Sequence, residues 1–127
     1  MNVRRVTRSP RTHRALARCA LALGGLLLGS TASAAACSAN QCSGQVQSVY
    51  VSTAGSVYVS LVGGLTGVSI CAPAAGVYAE LLASTTNSKL IFAMLLSAQY
   101  AGRPVTLRFL DSPPSGSGCV IQYAVSA

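Results

Sequence analysis

Two alternating stretches, Gln45-Val-Gln-Ser-Val-Tyr-Val51 and Ser56-Val-Tyr-Val-Ser-Leu61, stand either side of the turn text Ser52-Thr-Ala-Gly55. Both are rich in β-branched and aromatic residues, which marks them as strands. A three-residue loop, Thr53-Ala54-Gly55, puts glycine where a hairpin needs the left-handed conformation. That loop length fixes the register and pairs Val51 with Val57, Tyr50 with Tyr58 and Val49 with Val59. The four valines then share one face, and Tyr50 and Tyr58 share the other with Ser48 and Ser60. A one-residue slip would exchange the faces, so this hairpin constrains every other element of the fold.

Around the hairpin the chain divides into short segments. Residues 35–43 form a polar, cysteine-bearing lead, and Gly63-Gly-Leu-Thr-Gly67 breaks the strand pattern. Residues 68–70 and 77–82 are shorter strand candidates around Ala72-Pro-Ala-Ala-Gly76. Ser84-Thr-Thr-Asn87 supplies helix-capping side chains, and residues 88–101 carry the one helix expected after the N-terminal region. Gly102 ends it and Pro104 keeps it ended. Residues 105–110 and 119–124 read as strands, with the Pro- and Gly-rich loop 111–118 between them. The expected class is α+β, mainly β, with a largely antiparallel sheet.

The helix carries two apolar stripes. Ile91, Met94, Leu95 and Ala98 repeat at helical spacing and are expected to face the sheet. Phe92, Leu96 and Tyr100 form a second stripe on another face. A helix apolar over most of its circumference is normally buried, and a domain this small offers little to cover both sides. Two covers are open: loops such as 111–118, or a second copy of the chain or another partner, which would make these three residues an interface.

The N-terminus is written differently. Arg4, Arg5, Arg8, Arg11, Arg14 and Arg18 precede the apolar run Cys19-Ala-Leu-Ala-Leu-Gly-Gly-Leu-Leu-Leu28, and Ala32-Ser33-Ala34 ends a small-residue stretch. A basic region, a short apolar core and an A-x-A site make a secretory signal. The run is about half the roughly 20 residues that a membrane span needs, which argues against a retained anchor. The expected division is a signal peptide over residues 1–34 and one domain over 35–127, with cleavage after Ala36 the alternative. Arg4-Arg5 is followed by Val6-Thr7-Arg8, a poor twin-arginine continuation. Ala34 stands where a lipoprotein site before Cys37 would want leucine.

Cleavage removes six of the nine basic residues and the single histidine, His13. Lys89, Arg103 and Arg108 then face Glu80 and Asp111, three cations against two anions, for a net charge of +1. Nucleic-acid binding through counterion release needs a cluster of cations, and these three are scattered. The mature chain is expected to have no membrane span and to be exported, either periplasmic or extracellular.

Of five cysteines, Cys19 leaves with the signal and Cys37, Cys42, Cys71 and Cys119 remain. An even count in a small exported domain reads as disulfides. Three pairings are open; the preferred one joins Cys37 to Cys42 and Cys71 to Cys119. Zinc is the competing use, but C-x-x-C spacing and histidine are both missing from this part of the chain.

Catalytic equipment is sparse. Without histidine no Ser-His-Asp or Cys-His arrangement can form. Glu80 and Asp111, the two carboxylates, sit on different elements and would have to converge to cleave a glycosidic bond. Lys89 at the helix start is a solvated cation before it is a partner for serine. The glycines at 63, 64 and 67 are not followed by a phosphate-loop lysine. The chain is therefore read as a non-enzyme without cofactor or metal.

The wording from Gln45 to Val51, Gly55-Ser-Val-Tyr-Val, Cys71, Met94-Leu-Leu-Ser-Ala-Gln-Tyr-Ala-Gly-Arg-Pro-Val105 and Gly118-Cys-Val-Ile-Gln-Tyr resembles a group of small exported bacterial proteins. The layout over residues 44–124 is similar to that of the B subunit of subtilase cytotoxin and its relatives. That resemblance implies an OB-type five-stranded barrel with one helix, assembly into a ring, and binding of cell-surface glycans. None of the family's glycan-contacting residues maps onto this chain, and there is no tryptophan. Independently of the resemblance, the hairpin face with Tyr50, Tyr58, Ser48 and Ser60 offers aromatic rings with hydroxyls nearby and is the candidate ligand face, for a glycan or a polar partner. The alternative function is a structural or inhibitory domain that docks another exported protein.

Overall fold

The computed structural model describes residues 33–126, so nearly all of the expected signal peptide lies outside the described residues. Its strands are β1 (Ala36–Ser38), β2 (Gln41–Val51), β3 (Val57–Leu61), β4 (Ala79–Leu81), β5 (Pro104–Phe109) and β6 (Cys119–Ser126), with helix α1 (Ser88–Ala101) between β4 and β5. Strand order β2-β3-β4-β6-β5 closes on itself through a β2–β5 pairing, and β1 is an extra strand on β2. The result is a closed five-stranded barrel with one helix, as expected for an OB-like domain. The β4–β6 pairing is parallel and the others are antiparallel.

The central hairpin has the expected register: Val51 opposite Val57, Tyr50 opposite Tyr58, Val49 opposite Val59 and Ser48 opposite Ser60. Ser52 N–H donates to Ser56 O at 2.8 Å, and Gly55 closes the loop at φ 86°. Val57 and Val59 are buried, and Val49 packs against the core from a half-buried position; Val51, at the strand end, is exposed.

Barrel closure depends on β2 bending from one sheet to the other. Its first half pairs with β5 and its second half with β3, and the register shifts between Val46 and Ser48. A bulge adds one residue and turns the strand, which is why Val46 and Val49, three apart, both meet the core. A similar shift in the β5–β6 ladder lets Ile121 and Ala124 do the same. Leu61, Leu81, Leu107, Phe109 and Ile121 fill the interior, and α1 covers it with Leu95 and Ala98.

Several local expectations need correction. Residues 68–70 are not a strand, and of residues 77–82 only Ala79–Leu81 form one, with Tyr78 in an isolated bridge to Ala74. Glycines at 63, 64 and 67 all take positive φ, so the segment between β3 and β4 turns rather than extends. The lead at 35–43 is instead a tight hairpin, with Cys37 opposite Cys42. At the helix start Asn87 is left-handed, φ 60°, and makes no side-chain cap. Asparagine tolerates that conformation because its short amide can bond locally. The other helix end is as expected: Gly102 at φ 63° allows Arg103 N–H to reach Ala98 O at 2.9 Å.

Both preferred disulfides are present, Cys37–Cys42 and Cys71–Cys119, and they fit an oxidising compartment. The first clips a hairpin; the second ties the segment before β4 to the start of β6. Ala35 N–H donates to Val62 O at 2.7 Å and Ala36 opens β1. Cleavage after Ala34 keeps both contacts, whereas cleavage after Ala36 removes them.

Candidate functional site

The outer face of β2–β3–β4 carries one continuous row of side chains. Tyr50 lies opposite Tyr58, Tyr58 opposite Glu80, and Glu80 opposite Val120 on β6. Period-two alternation puts Tyr50, Tyr58 and Glu80 on the face away from Val59, Ala79, Leu81 and Cys119, which fill the core, while Val120 at the β6 end of the row is fully buried. The rings of Tyr50 and Tyr58 stack with centroids 4.9 Å apart and 13° between planes. Tyr78, two residues before Glu80 and so on the same face, meets Tyr50 edge-on at 5.2 Å. Both geometries suit the ring quadrupole and favour a fixed cluster.

The polar atoms of this face bond to one another. Tyr58 OH donates to Glu80 Oε1 at 3.3 Å, and the Ser48 and Ser60 hydroxyls are 2.7 Å apart. Burial, and next the negative charge of Glu80 together with its hydrogen bond, push the Tyr58 phenol above its ordinary value. Tyr50 is exposed, but Glu80 keeps only 8 % of its surface and Ser60 only 5 %. Of the expected four, then, Ser60 is not an open contact residue. It holds Ser48 in place.

Sequence reasoning missed Tyr78 and Glu80 as members of the site. The signal was present in Val77-Tyr-Ala-Glu-Leu81, whose alternation puts Tyr78 and Glu80 on one face and Ala79 and Leu81 on the other. Only the pairing of β4 with β3 shows that this face adjoins the tyrosines. The second carboxylate, Asp111, is exposed and meets Arg108 at 3.5 Å, while Glu80 meets Tyr58. Each acid thus has its own partner on a separate element. Lys89 is exposed, and its neighbour Ser88 donates to Ala83 O at 3.3 Å.

The helix presents a second surface. Leu95 and Ala98 are buried, and Ile91 and Met94 pack beside them, as the first stripe requires. Of the second stripe, Phe92 is half-buried, Leu96 is 41 % exposed and Tyr100 is 97 % exposed. Leu90 is exposed as well. Loop 111–118 therefore does not bury this stripe. It runs elsewhere, with Gly118 close against the backbone of Ala72 and Ala74. Phe92 also lines a crevice of about 240 Å³ with Val51, Val57, Leu81 and Leu82, and Lys89 lies at its edge. This crevice is on the valine side of the hairpin, away from the tyrosines, and is small for a ligand pocket.

Among the described residues no group of three or more acidic, histidine or cysteine side chains is placed to hold a metal, and no helix is long and apolar enough to cross a membrane. Comparison of the chain with family models, with curated proteins and with solved structures finds no match.

Proposed function

We propose that this chain is an exported, non-catalytic binding domain whose tyrosine face takes a glycan, in the manner of the toxin B subunits its sequence resembles. The observation that carries this reading is the Tyr50–Tyr58 stack on an outer barrel face, with hydroxyls and a carboxylate alongside. Sugars bind where an aromatic ring meets their C–H face and polar groups meet their hydroxyls; a rigid ring loses little entropy on binding. The barrel itself is a scaffold for such surfaces and does not specify a ligand.

The helix stripe supports the second half of the proposal, a homo-oligomer in which Phe92, Leu96 and Tyr100 are covered by a neighbouring copy. Exposed apolar side chains grouped on one helix face are the usual mark of an interaction surface. The same stripe favours the alternative function, docking of another exported protein. A mass by light scattering separates the two, and a glycan array probed with the mature chain tests the ligand. A multimer that binds glycans through Tyr50 supports the proposal. A monomer that binds no glycan, but forms a stoichiometric complex with an exported protein, replaces it with the alternative.

A further inference from the structure

Glu80 is the least expected side chain on the tyrosine face. A carboxylate that is 8 % exposed is normally paired with a cation, because desolvating an unpaired charge is costly. Among the described residues the ion pair formed is Arg108 with Asp111, and Glu80 has none. Its polar contact is a neutral phenol, Tyr58 OH, at the long distance of 3.3 Å. The cations of the domain lie on other elements: Lys89 opens α1, Arg103 follows it, and Arg108 is on β5. Beside Glu80 stand three tyrosines, Tyr50 and Tyr58 stacked and Tyr78 edge-on to Tyr50. Aromatic faces carry negative charge density and attract ammonium groups. Carboxylate and rings together make a spot of negative potential, and among the described residues no cation is paired with it.

We propose that this row recognises a protonated amine on its ligand, so that the favoured sugar is an amino sugar with a free, unacetylated amino group. This rests on the glycan reading of the same face. Tyr50 receives the C–H face of the ring, and the ammonium is drawn by the faces of Tyr58 and Tyr78 and by Glu80, which, nearly as buried as Ser60, acts through its charge rather than as an open contact. Acetylation removes the charge and leaves Glu80 unpaired. A sugar bearing a carboxylate meets a like charge and is rejected.

The test is calorimetric titration of the mature chain with four probes: a glucosamine oligomer, its N-acetylated counterpart, an oligosaccharide ending in a sugar carboxylate, and tetramethylammonium. The expected result is about tenfold tighter binding of the free-amine oligomer than of the acetylated one, with no binding of the acidic sugar. Glu80→Gln keeps a partner for Tyr58 and should erase that preference, whereas Tyr50→Ala should weaken both oligomers alike. Equal affinity for the free and acetylated oligomers overturns the amine inference and leaves the glycan reading standing. Binding of tetramethylammonium that Glu80→Gln abolishes, with no sugar bound, overturns the glycan reading and keeps the cation site. Should Glu80→Gln fail to fold, the unmodified chain's preference between the two oligomers decides.

Discussion

The sheet face of β2–β3–β4 and the outer face of α1 both present aromatic side chains to solvent, yet they are finished differently. On the sheet, each tyrosine has a ring or a carboxylate as neighbour, and the serines bond to each other. On the helix, Tyr100 stands 97 % exposed near Leu96, with no hydrogen bond to its hydroxyl among those formed by the described residues. A surface whose own atoms satisfy one another keeps its shape in water and can wait for a small ligand. A surface of unpaired apolar groups gains from being covered. The difference teaches that exposure alone does not identify a site. Arrangement separates a ligand face from a docking face.

The largest expected effect comes from removing the clip next to the sheet face. Cys71–Cys119 closes a separation of 48 residues, and chain-entropy reasoning gives it about 4 kcal/mol, against about 2 kcal/mol for Cys37–Cys42 with its separation of 5. Replacing Cys71 and Cys119 by alanine should lower the denaturation midpoint more than replacing Cys37 and Cys42. It should also loosen the segment carrying Tyr78 before it loosens α1, read by hydrogen exchange. Equal protection loss on both faces would break the distinction between them.

Adjacent leucines test the helix face. Leu95 is fully buried, and Leu95→Ala should cost the fold about 3 kcal/mol in denaturant unfolding. Leu96→Asp should leave the monomer within about 0.5 kcal/mol of its stability, as a substitution at a surface position usually does. If a neighbouring copy covers Leu96, the same change removes about 2 kcal/mol per subunit of association and should halt assembly in light scattering. An assembly unchanged by Leu96→Asp would mean that the docking face is elsewhere.

Tyr50→Ala should act on the other face alone. Its stack with Tyr58 is worth about 1 kcal/mol, so stability should fall by a similar amount while the oligomeric mass stays fixed. Ligand affinity, measured on an array or by calorimetry, should fall about tenfold. A loss of assembly with Tyr50→Ala would merge the two surfaces into one.

How much of this was legible in the sequence depended on how local the cause was. The hairpin register followed from alternation and the position of Gly55, and the helix bounds followed from its apolar stripes and Gly102. The failures came where distant parts decide the outcome. Residues 41–43 joined β2 because β5 offers them partners, and the Gln47 bulge was invisible until the barrel had to close. Glu80 sits in a three-residue strand too short to announce its neighbours. Its place beside Tyr58 is set by β4 meeting β3, across 22 residues of chain.

The smallest effect is also the most local. Tyr58 is held above the ordinary phenol value of 10.0 first by desolvation and then by the charge and hydrogen bond of Glu80. A raised folded-state value means that Tyr58 contributes stability in full below the unfolded value, and that this is lost as pH rises through the folded one. Stability should therefore begin to decline near pH 10. Absorbance titration of phenolate should show a late-ionising tyrosine, missing in Tyr58→Phe. Glu80→Gln should move that step only part of the way back, because burial, the larger cause, remains. A complete return would make the carboxylate the dominant influence and the face more open than its burial implies. No movement at all would mean that Glu80 does not act on Tyr58, and the contrast between a polar, self-bonded sheet face and a bare helix face would lose its electrostatic part.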